Sequence, residues 1–405
     1  MAQTRSSSVQ KGPTRQHSRT MDTFVSPIVE SRRWLEGLSL PDDLPLLNLS
    51  QAAPADPPPE GLRRAIAEAA LNDDASHLYG AVLGQDALRA ELARKMSDHY
   101  AAEISAQQVA ITAGCNQAFA ATIAAICKDG DQVILPTPWY FNHKMWLDME
   151  GVETCPLPVG EAMLPCPDAA AELITDRTRA IVLVTPNNPC GVEYPEGLVR
   201  RFFDLARDRG LTLIVDETYR DFDSRDGAPH ALFQVPDWSD TLIHLYSFSK
   251  AYRLTGHRVG AMVADPALLG QVEKFLDTVT ICPNQLGQHA ALWGMRNLSQ
   301  WLAGERDEIL DRRAAIGEAM PRLTARGWRL MGAGAYFAYL EHPFDMPSDQ
   351  LAPALVRDHH LLCLPGTMFM PGSDPAGRNQ LRIAFANVDR AGIGTLFARL
   401  ARASY

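Results

Sequence analysis

The sequence contains no C-x-x-C pair. Its seven cysteines, at positions 115, 127, 155, 166, 190, 282 and 363, are odd in number and lack zinc-site spacing, so reduced thiols in a cytoplasmic protein are expected, with no metal. None of the eleven histidines falls in an H-E-x-x-H pattern, and the His359-His360 pair has no ligand-spaced neighbour. Acidic and basic residues are interspersed at a formal net charge of -10, which offers no basic stripe to a polyanion, so nucleic acid is not an expected partner. No apolar run approaches the roughly 18 to 20 residues that would span a bilayer, so no membrane association is expected. The first twenty residues contain no acid and no apolar h-region; they do not read as a secretory signal, resemble a transit peptide only faintly, and are expected to be a disordered tail or the product of an early start codon. Gly332-Ala333-Gly334 lacks the third glycine and the strand–helix setting of a dinucleotide fingerprint, which sets a nicotinamide dehydrogenase aside. No internal repeat is visible.

What is present is length and rhythm. At 405 residues, 46% of them hydrophobic, the chain can bury more than one core. The Pro-rich stretch at 52–59 reads as an extended crossing between an N-terminal arm and the first clear helix at 61–71. Helical patterns at 85–99, 116–126 and 197–208 then alternate with strand patterns at 109–112, 132–135, 180–184 and 211–215. That alternation predicts an α/β fold with a large, mostly parallel sheet. From about Leu298 the pattern changes to a long charged amphipathic helix and strands at 335–340 and 381–385, which predicts a smaller α+β domain. The expected division is a tail over residues 1–20, an arm joining the small domain over 21–60, a large ligand-binding domain over 61–297 and a C-terminal small domain over 298–405.

The chemistry-bearing residues sit where predicted strands end. Leu211-Thr212-Leu213-Ile214-Val215 is an apolar run broken only by Thr212, as suits a strand covered on both faces, and is followed by Asp216. His244-Leu245-Tyr246-Ser247-Phe248-Ser249-Lys250 ends an apolar strand in a Ser-x-Ser-Lys turn, with Arg258 downstream between Gly256 and Gly260. Parallel sheets bind ligands outside the carboxyl ends of their strands, so Asp216 and Lys250 should face one crevice. A cofactor with an aldehyde and a basic ring nitrogen needs that pair, and pyridoxal 5'-phosphate has both.

Three further segments are ambiguous one at a time. Gly114, in Ile111-Thr112-Ala113-Gly114-Cys115-Asn116-Gln117, joins a strand to an Ala-rich helix whose free amides and positive dipole end make an anion site; a glycine that merely lets the turn close explains it equally well. Thr137-Pro138-Trp139-Tyr140-Phe141 places three rings past a strand end, where core packing is the ordinary fate and stacking on a flat cofactor the functional one. Thr185-Pro186-Asn187-Asn188-Pro189-Cys190-Gly191 is a good turn sequence, and an Asn amide there, or Tyr219 after Asp216, could donate to a ring oxygen.

Jointly, the order Gly-turn, aromatic, Asn-Pro-x-Gly, Asp-x-x-Tyr, Ser-x-Ser-Lys and Arg resembles the fold-type I pyridoxal-phosphate enzymes of the class I/II aminotransferase family, from about Leu46 to Phe397. The resemblance implies Lys250 as the lysine that takes the cofactor's aldehyde and later moves a proton, Asp216 as partner of the pyridine nitrogen, and Tyr219 and Asn188 as donors to the phenolic oxygen. It implies Tyr140, rather than Trp139, as the stacking ring. The phosphate set it implies is the Gly114 turn, the amides of Cys115 and Asn116, Ser247, Ser249 and Arg258, with Tyr79 reaching the neighbouring subunit of a homodimer. Arg382, in Gln380-Leu381-Arg382-Ile383-Ala384, matches the arginine that grips the substrate's α-carboxylate, with Asn188 and Ala52 beside it. The implied activity is ping-pong transfer of an amino group from an amino acid to a 2-oxo acid, in amino acid metabolism.

Some positions depart from the family's pattern. Ser50-Gln51-Ala52-Ala53-Pro54 has Ala where many relatives have Gly, and Cys190 stands where Asn-Pro-Thr-Gly has Thr. Asp277 falls roughly where aspartate-specific relatives carry an arginine for a distal carboxylate, which sets a neutral or basic substrate ahead of an acidic one. A carbon–sulfur lyase of the same fold is the alternative activity. A non-catalytic regulator would need a DNA-binding domain of about 60 residues ahead of the fold, where about twenty are spare.

Overall fold

The computed structural model describes residues 17–405 apart from residues 42, 43, 55 and 161, so most of the tail expected over 1–20 lies outside the described residues. Arg19–Asp22 and Pro27–Arg33 form two helices of the arm, neither of them foreseen from periodicity because each is too short to show one. Strand β1 (Leu47–Asn48) leads through the Pro-rich crossing to helix Glu60–Asn72. Strands β2 (Val109–Thr112), β3 (Gln132–Thr137), β4 (Glu153–Pro158), β5 (Thr178–Val184), β6 (Thr212–Asp216), β7 (Leu242–Ser247) and β8 (Gly260–Val263) then form one sheet in the order β2-β8-β7-β6-β5-β3-β4. From β7 across to β4 every pair is parallel, and β8 runs antiparallel to both neighbours. This is the expected mostly parallel α/β sheet.

Alternate strand residues feed two separate cores. Ile181, Leu183, Leu213 and Val215 pack with Val199, Phe202 and Phe203 of helix Glu196–Asp208. Ala180, Val182, Ile214 and Leu245 pack on the other side with Phe119 and Ile123 of helix Cys115–Ile126 and Leu269, Val272 and Leu276 of helix Pro266–Thr280. Because both faces are covered, the strands read as continuous apolar runs, and each fully buried aliphatic or aromatic side chain contributes about 1.5–3 kcal/mol. Strand β4 was not legible: it lies at the sheet's edge, half of its residues are exposed, and it carries two prolines that only an edge strand accommodates.

The C-terminal part begins with helix Ser299–Thr324 and continues through β9 (Arg329–Gly334), β10 (Phe337–Glu341), helix Ser348–His359, β11 (Leu361–Leu362), β12 (Leu364–Pro365), β13 (Gln380–Ala384) and helix Arg390–Leu400. The single strand expected at 335–340 is instead the second arm of a hairpin. Ala335 takes a left-handed φ of 45° and reverses the chain between β9 and β10. The antiparallel sheet β12-β13-β10-β9 sets Arg382 opposite both Tyr339 and Leu364. The N-terminal arm joins this part physically: β1 pairs in parallel with β11, and Leu49 and Ala52 pack into its core.

Candidate active site

Register brings distant motifs to one edge of the large sheet. Val184 is level with Asp216, and Asp216 with Leu245, so the chain segments after β5, β6 and β7 leave the sheet side by side. Gly260, the first residue of β8, pairs with Thr112 on one side and Ser247 on the other, which places the Gly114 turn beside the Ser-x-Ser-Lys turn. Above this edge lies a cavity of about 670 Å³, the size of a cofactor or substrate site. Its lining includes Cys115, Asn116, Tyr140, Asn188, Asp216, Tyr219, Ser247, Ser249, Lys250 and Arg258 from the large sheet, Ala52 from the arm and Arg382 from β13.

Asp216 is buried at the cavity floor. Its Oδ1 accepts the Thr218 amide at 3.0 Å, and its Oδ2 lies 3.3 Å from His143 Nε2. Burial alone would push this carboxyl up, but the His143 and Thr218 contacts outweigh it and hold the group below the ordinary aspartate value, so it stays ionised. His143 is itself stacked on Phe119, with ring centroids 3.9 Å apart, and fixed edge-on against Tyr140. Tyr140 donates its hydroxyl to Asn116 Oδ1 at 3.2 Å, and burial followed by the Asp216 charge keeps the phenol neutral. Burial and then Asp216 do the same for the Cys115 thiol.

Lys250 donates to the Ala52 carbonyl across the cavity. Burial, then the charges of Arg258 and Arg382, lower its amine from 10.5 to about 8. Arg382 is 2% exposed and lies between the Phe337 and Phe369 rings, 5.0 Å from each centroid. It donates to Asn188 Oδ1 at 3.1 Å and to the Ser50 carbonyl; its Nε has no partner, and it forms no ion pair among the described residues. Burial lowers it to about 10, still a cation at neutral pH. A buried guanidinium without a counter-ion is costly, and an anion entering the cavity would offset that cost.

At the other end, Gly114 holds φ at 86° and starts helix Cys115–Ile126; a Cβ on it would fall 2.3 Å from an Arg258 nitrogen. A Cβ on Gly260 would fall 2.5 Å from the Cys115 amide nitrogen. The two glycines therefore leave a cradle bounded by the Cys115 and Asn116 amides, neither of which has an acceptor among the described residues, by the Ser247 and Ser249 side chains, and by Arg258. Free amides at a helix start with an adjacent arginine could hold a phosphate, and the flat Tyr140 ring and ionised Asp216 could hold a pyridinium. The residues present thus fit pyridoxal 5'-phosphate.

Asn188 belongs to a turn closed by its neighbours: Asn187 accepts the Cys190 amide at 2.9 Å, and Gly191 takes φ of 74° where a side chain would strike the Phe337 carbonyl. Cys190 therefore sits in an intact turn. Tyr79 lies outside the cavity of its own chain and is 80% exposed, and Asp277 is exposed on helix Pro266–Thr280. Sequence reasoning missed His143, Thr218, Asn142 and the arm residues Ser26, Ile28, Val29 and Arg32, all at or beside the cavity. It also missed a buried cluster beneath it, where Glu217 lies 3.1 Å from His230 and 2.8 Å from His244 and accepts the Tyr100 hydroxyl.

Comparison with known proteins gives the chain its family. Residues 45–400 match the family model "Aminotransferase class I and II". The aromatic aminotransferase ISS1 of Arabidopsis thaliana is 26% identical over 390 residues, covering 94% of each chain, and an aromatic amino acid aminotransferase of Cutibacterium acnes is 30% identical over 255 residues, 62% of this chain and 68% of that one. In fold, the chain superimposes on an aspartate aminotransferase from Thermus thermophilus with a TM-score of 0.85 at 22% identity, covering 97% of this chain and 100% of that one. A putative kynurenine aminotransferase of Saccharomyces cerevisiae, Bna3p, gives 0.87 at 19%, with 96% and 99% covered. No helix among the described residues is long and apolar enough to cross a membrane. A lysine and an aspartate at neighbouring strand ends, an anion cradle between two glycines and a family match over nearly the whole chain converge: this protein belongs to the class I and II aminotransferases, fold-type I enzymes that use pyridoxal 5'-phosphate to move an amino group from an amino acid to a 2-oxo acid.

Proposed function

We propose that the cavity divides into a cofactor half and a substrate half, with Lys250 between them. The observation that carries this reading is the charge arrangement: a buried, unpaired Arg382 and a depressed Lys250 amine face one cavity whose floor is the ionised Asp216. In the cofactor half, the Cys115 and Asn116 amides, Ser247, Ser249 and Arg258 hold the phosphate, Tyr140 covers the ring, Asp216 keeps the ring nitrogen protonated, and Asn188 and Tyr219 donate to the ring oxygen. Bound pyridoxal phosphate supplies an aldehyde for the amino group and a ring that stabilises negative charge at the substrate's Cα.

The chain's own residues then choose the bond that breaks. Arg382 receives the α-carboxylate in its planar fork, which suits two parallel hydrogen bonds and fixes the orientation of the Cα–H. Lys250 Nζ, neutral in an appreciable fraction near pH 7, takes that proton and returns it on the cofactor side. His143 and Thr218 act through Asp216, keeping it charged and in place.

The same reading takes residues 61–297 as the cofactor-holding body and residues 298–405 with the arm as the body that carries Arg382. It also takes the protein as a cytoplasmic enzyme of amino acid biosynthesis, working as a homodimer. Leu71, Leu78, Tyr79 and Val279 are each at least 60% exposed, large apolar side chains that a second copy would cover. A fully active monomer in ultracentrifugation would overturn the dimer.

The test is an absorption spectrum of the protein with pyridoxal phosphate, before and after a panel of amino acids. A yellow band that a donor converts to the pyridoxamine form, and a 2-oxo acid restores, is the expected result. Release of ammonia and pyruvate from a sulfur amino acid without any acceptor would replace transamination by lyase chemistry.

A further inference from the structure

The cavity is lined by four cations, Arg32, Lys250, Arg258 and Arg382, against a single carboxylate, Asp216. On the aminotransferase reading three of the four have partners: Lys250 the aldehyde, Arg258 the phosphate and Arg382 the α-carboxylate. Arg32 has none. It sits on the arm helix Pro27–Arg33, next to Arg33, which is neutralised by Glu30 at 2.9 Å. Arg32 itself forms no ion pair among the described residues and donates to the neutral Gln51 Oε1 at 3.1 Å.

The wall around Arg32 has a defined character. Ile28, one turn earlier on the same helix, packs with Tyr140 and Phe141, which ties the arm to the start of helix Phe141–Glu150. Ile28 and Val29 present an apolar surface to the cavity, and Asn142 lines it with a buried Oδ1 that has no hydrogen-bond partner. An amide's oxygen and nitrogen exchange places by rotation, so Asn142 can present either a donor or an acceptor there. An apolar stretch ending in a guanidinium, with the unpartnered Asn142 amide oxygen nearby, is the complement of a short hydrocarbon stem ending in an anion.

We propose that Arg32, with Gln51 and Asn142, forms a distal subsite for the side-chain carboxylate of a dicarboxylic amino acid and its 2-oxo acid, with the stem lying against Ile28 and Val29. This assignment rests on the aminotransferase reading and adds the substrate class to it. A wholly apolar side chain would cover Arg32 and the Asn142 amide without pairing them, and a site that leaves its polar groups unpaired rejects such a ligand. Asp277, which the sequence sets against an acidic substrate, is exposed and does not line the cavity. The anion-binding group is instead on the arm, far away in sequence.

The experiment measures kcat/KM of the holoenzyme's donor half-reaction for two matched pairs that differ in distal charge, glutamate against glutamine and aspartate against asparagine, in wild type, Arg32→Gln and Arg32→Lys. Wild type should favour the acid in at least one pair by tenfold or more. Arg32→Gln should cut that preference about 10- to 100-fold, the worth of one charge-assisted hydrogen bond, and Arg32→Lys should recover part of it. A wild type indifferent to the distal charge, or an Arg32→Gln that lowers acid and amide equally, overturns the subsite. If wild type turns over neutral donors but not acidic ones, the aminotransferase reading stands and Arg32 falls. If it turns over no donor with any 2-oxo acid, the aminotransferase reading itself fails and the subsite falls with it.

Discussion

Lys250 should react with an aldehyde at neutral pH. Its amine is lowered from 10.5 to about 8, first by burial and then by the charges of Arg258 and Arg382. At pH 7 an amine with a pKa of 8 is neutral in about one molecule in ten, against about one in 3,000 at 10.5, a gain of roughly 300-fold in the reactive form. Stopped-flow mixing of the apoenzyme with pyridoxal phosphate should therefore show a capture rate that climbs about tenfold per pH unit below 8 and flattens above it. Arg258→Gln should move that bend to higher pH, and Arg382→Gln should move it by less. The same depression has a cost in stability. Between about pH 8 and 10.5 the unfolded chain binds the Lys250 proton and the folded chain does not, so stability of the apoenzyme rises with pH across that window; below 8 the penalty is present in full, about 3 kcal/mol. Lys250→Met should thus stabilise the apoenzyme at pH 7 while abolishing transamination, with the stability gain shrinking toward pH 10. A capture rate that keeps rising tenfold per unit up to pH 10 would refute the depressed amine, and so would a Lys250→Met variant no more stable than wild type at pH 7.

Two further outcomes follow from the surroundings of the site. Gly260→Ala places a methyl 2.5 Å from the Cys115 nitrogen, so the cradle must shift at a cost of about 1–3 kcal/mol; equilibrium titration should show weaker binding of pyridoxal phosphate than in wild type, and unchanged affinity would remove the cradle from phosphate binding. Glu217 is held below the usual carboxylate range because His230 and His244 outweigh its burial. Glu217→Ala should destabilise the protein by about 1–3 kcal/mol in denaturant titration, since it leaves the buried Tyr100 hydroxyl and His244 imidazole without their acceptor. A loss below about 1 kcal/mol would mean the cluster is not a structural anchor for the Asp216 strand end.

Much of the fold was legible because its signals are local. The run at 180–184 is apolar on every residue and those at 109–112 and 211–215 on all but one threonine each, the mark of strands buried on both faces, and the motifs that end them need no partner to be recognised. Strand β4 was missed because its edge position leaves half of it exposed. The sequence at 335–340 reads as one strand with its turn because Ala335 takes a left-handed backbone that its residue type does not announce.

The sequence by itself determined the α/β sheet, the cofactor chemistry and the identity of the strand-end residues, since each is written within a few neighbouring positions. Tertiary structure decided which of those groups carry charge and what they face. His143 lies against Asp216 because helix Phe141–Glu150 packs on helix Cys115–Ile126, and Arg382 meets Asn188 across 194 residues because β13 borders the cavity beside the arm. Arg32 reaches the same cavity on a helix of seven residues whose placement depends on packing against Phe141. Periodicity reports which face of an element is buried, whereas strand order, register and domain packing choose the neighbours, and the neighbours set the desolvation and charge that turn a lysine, an aspartate and an arginine into a site.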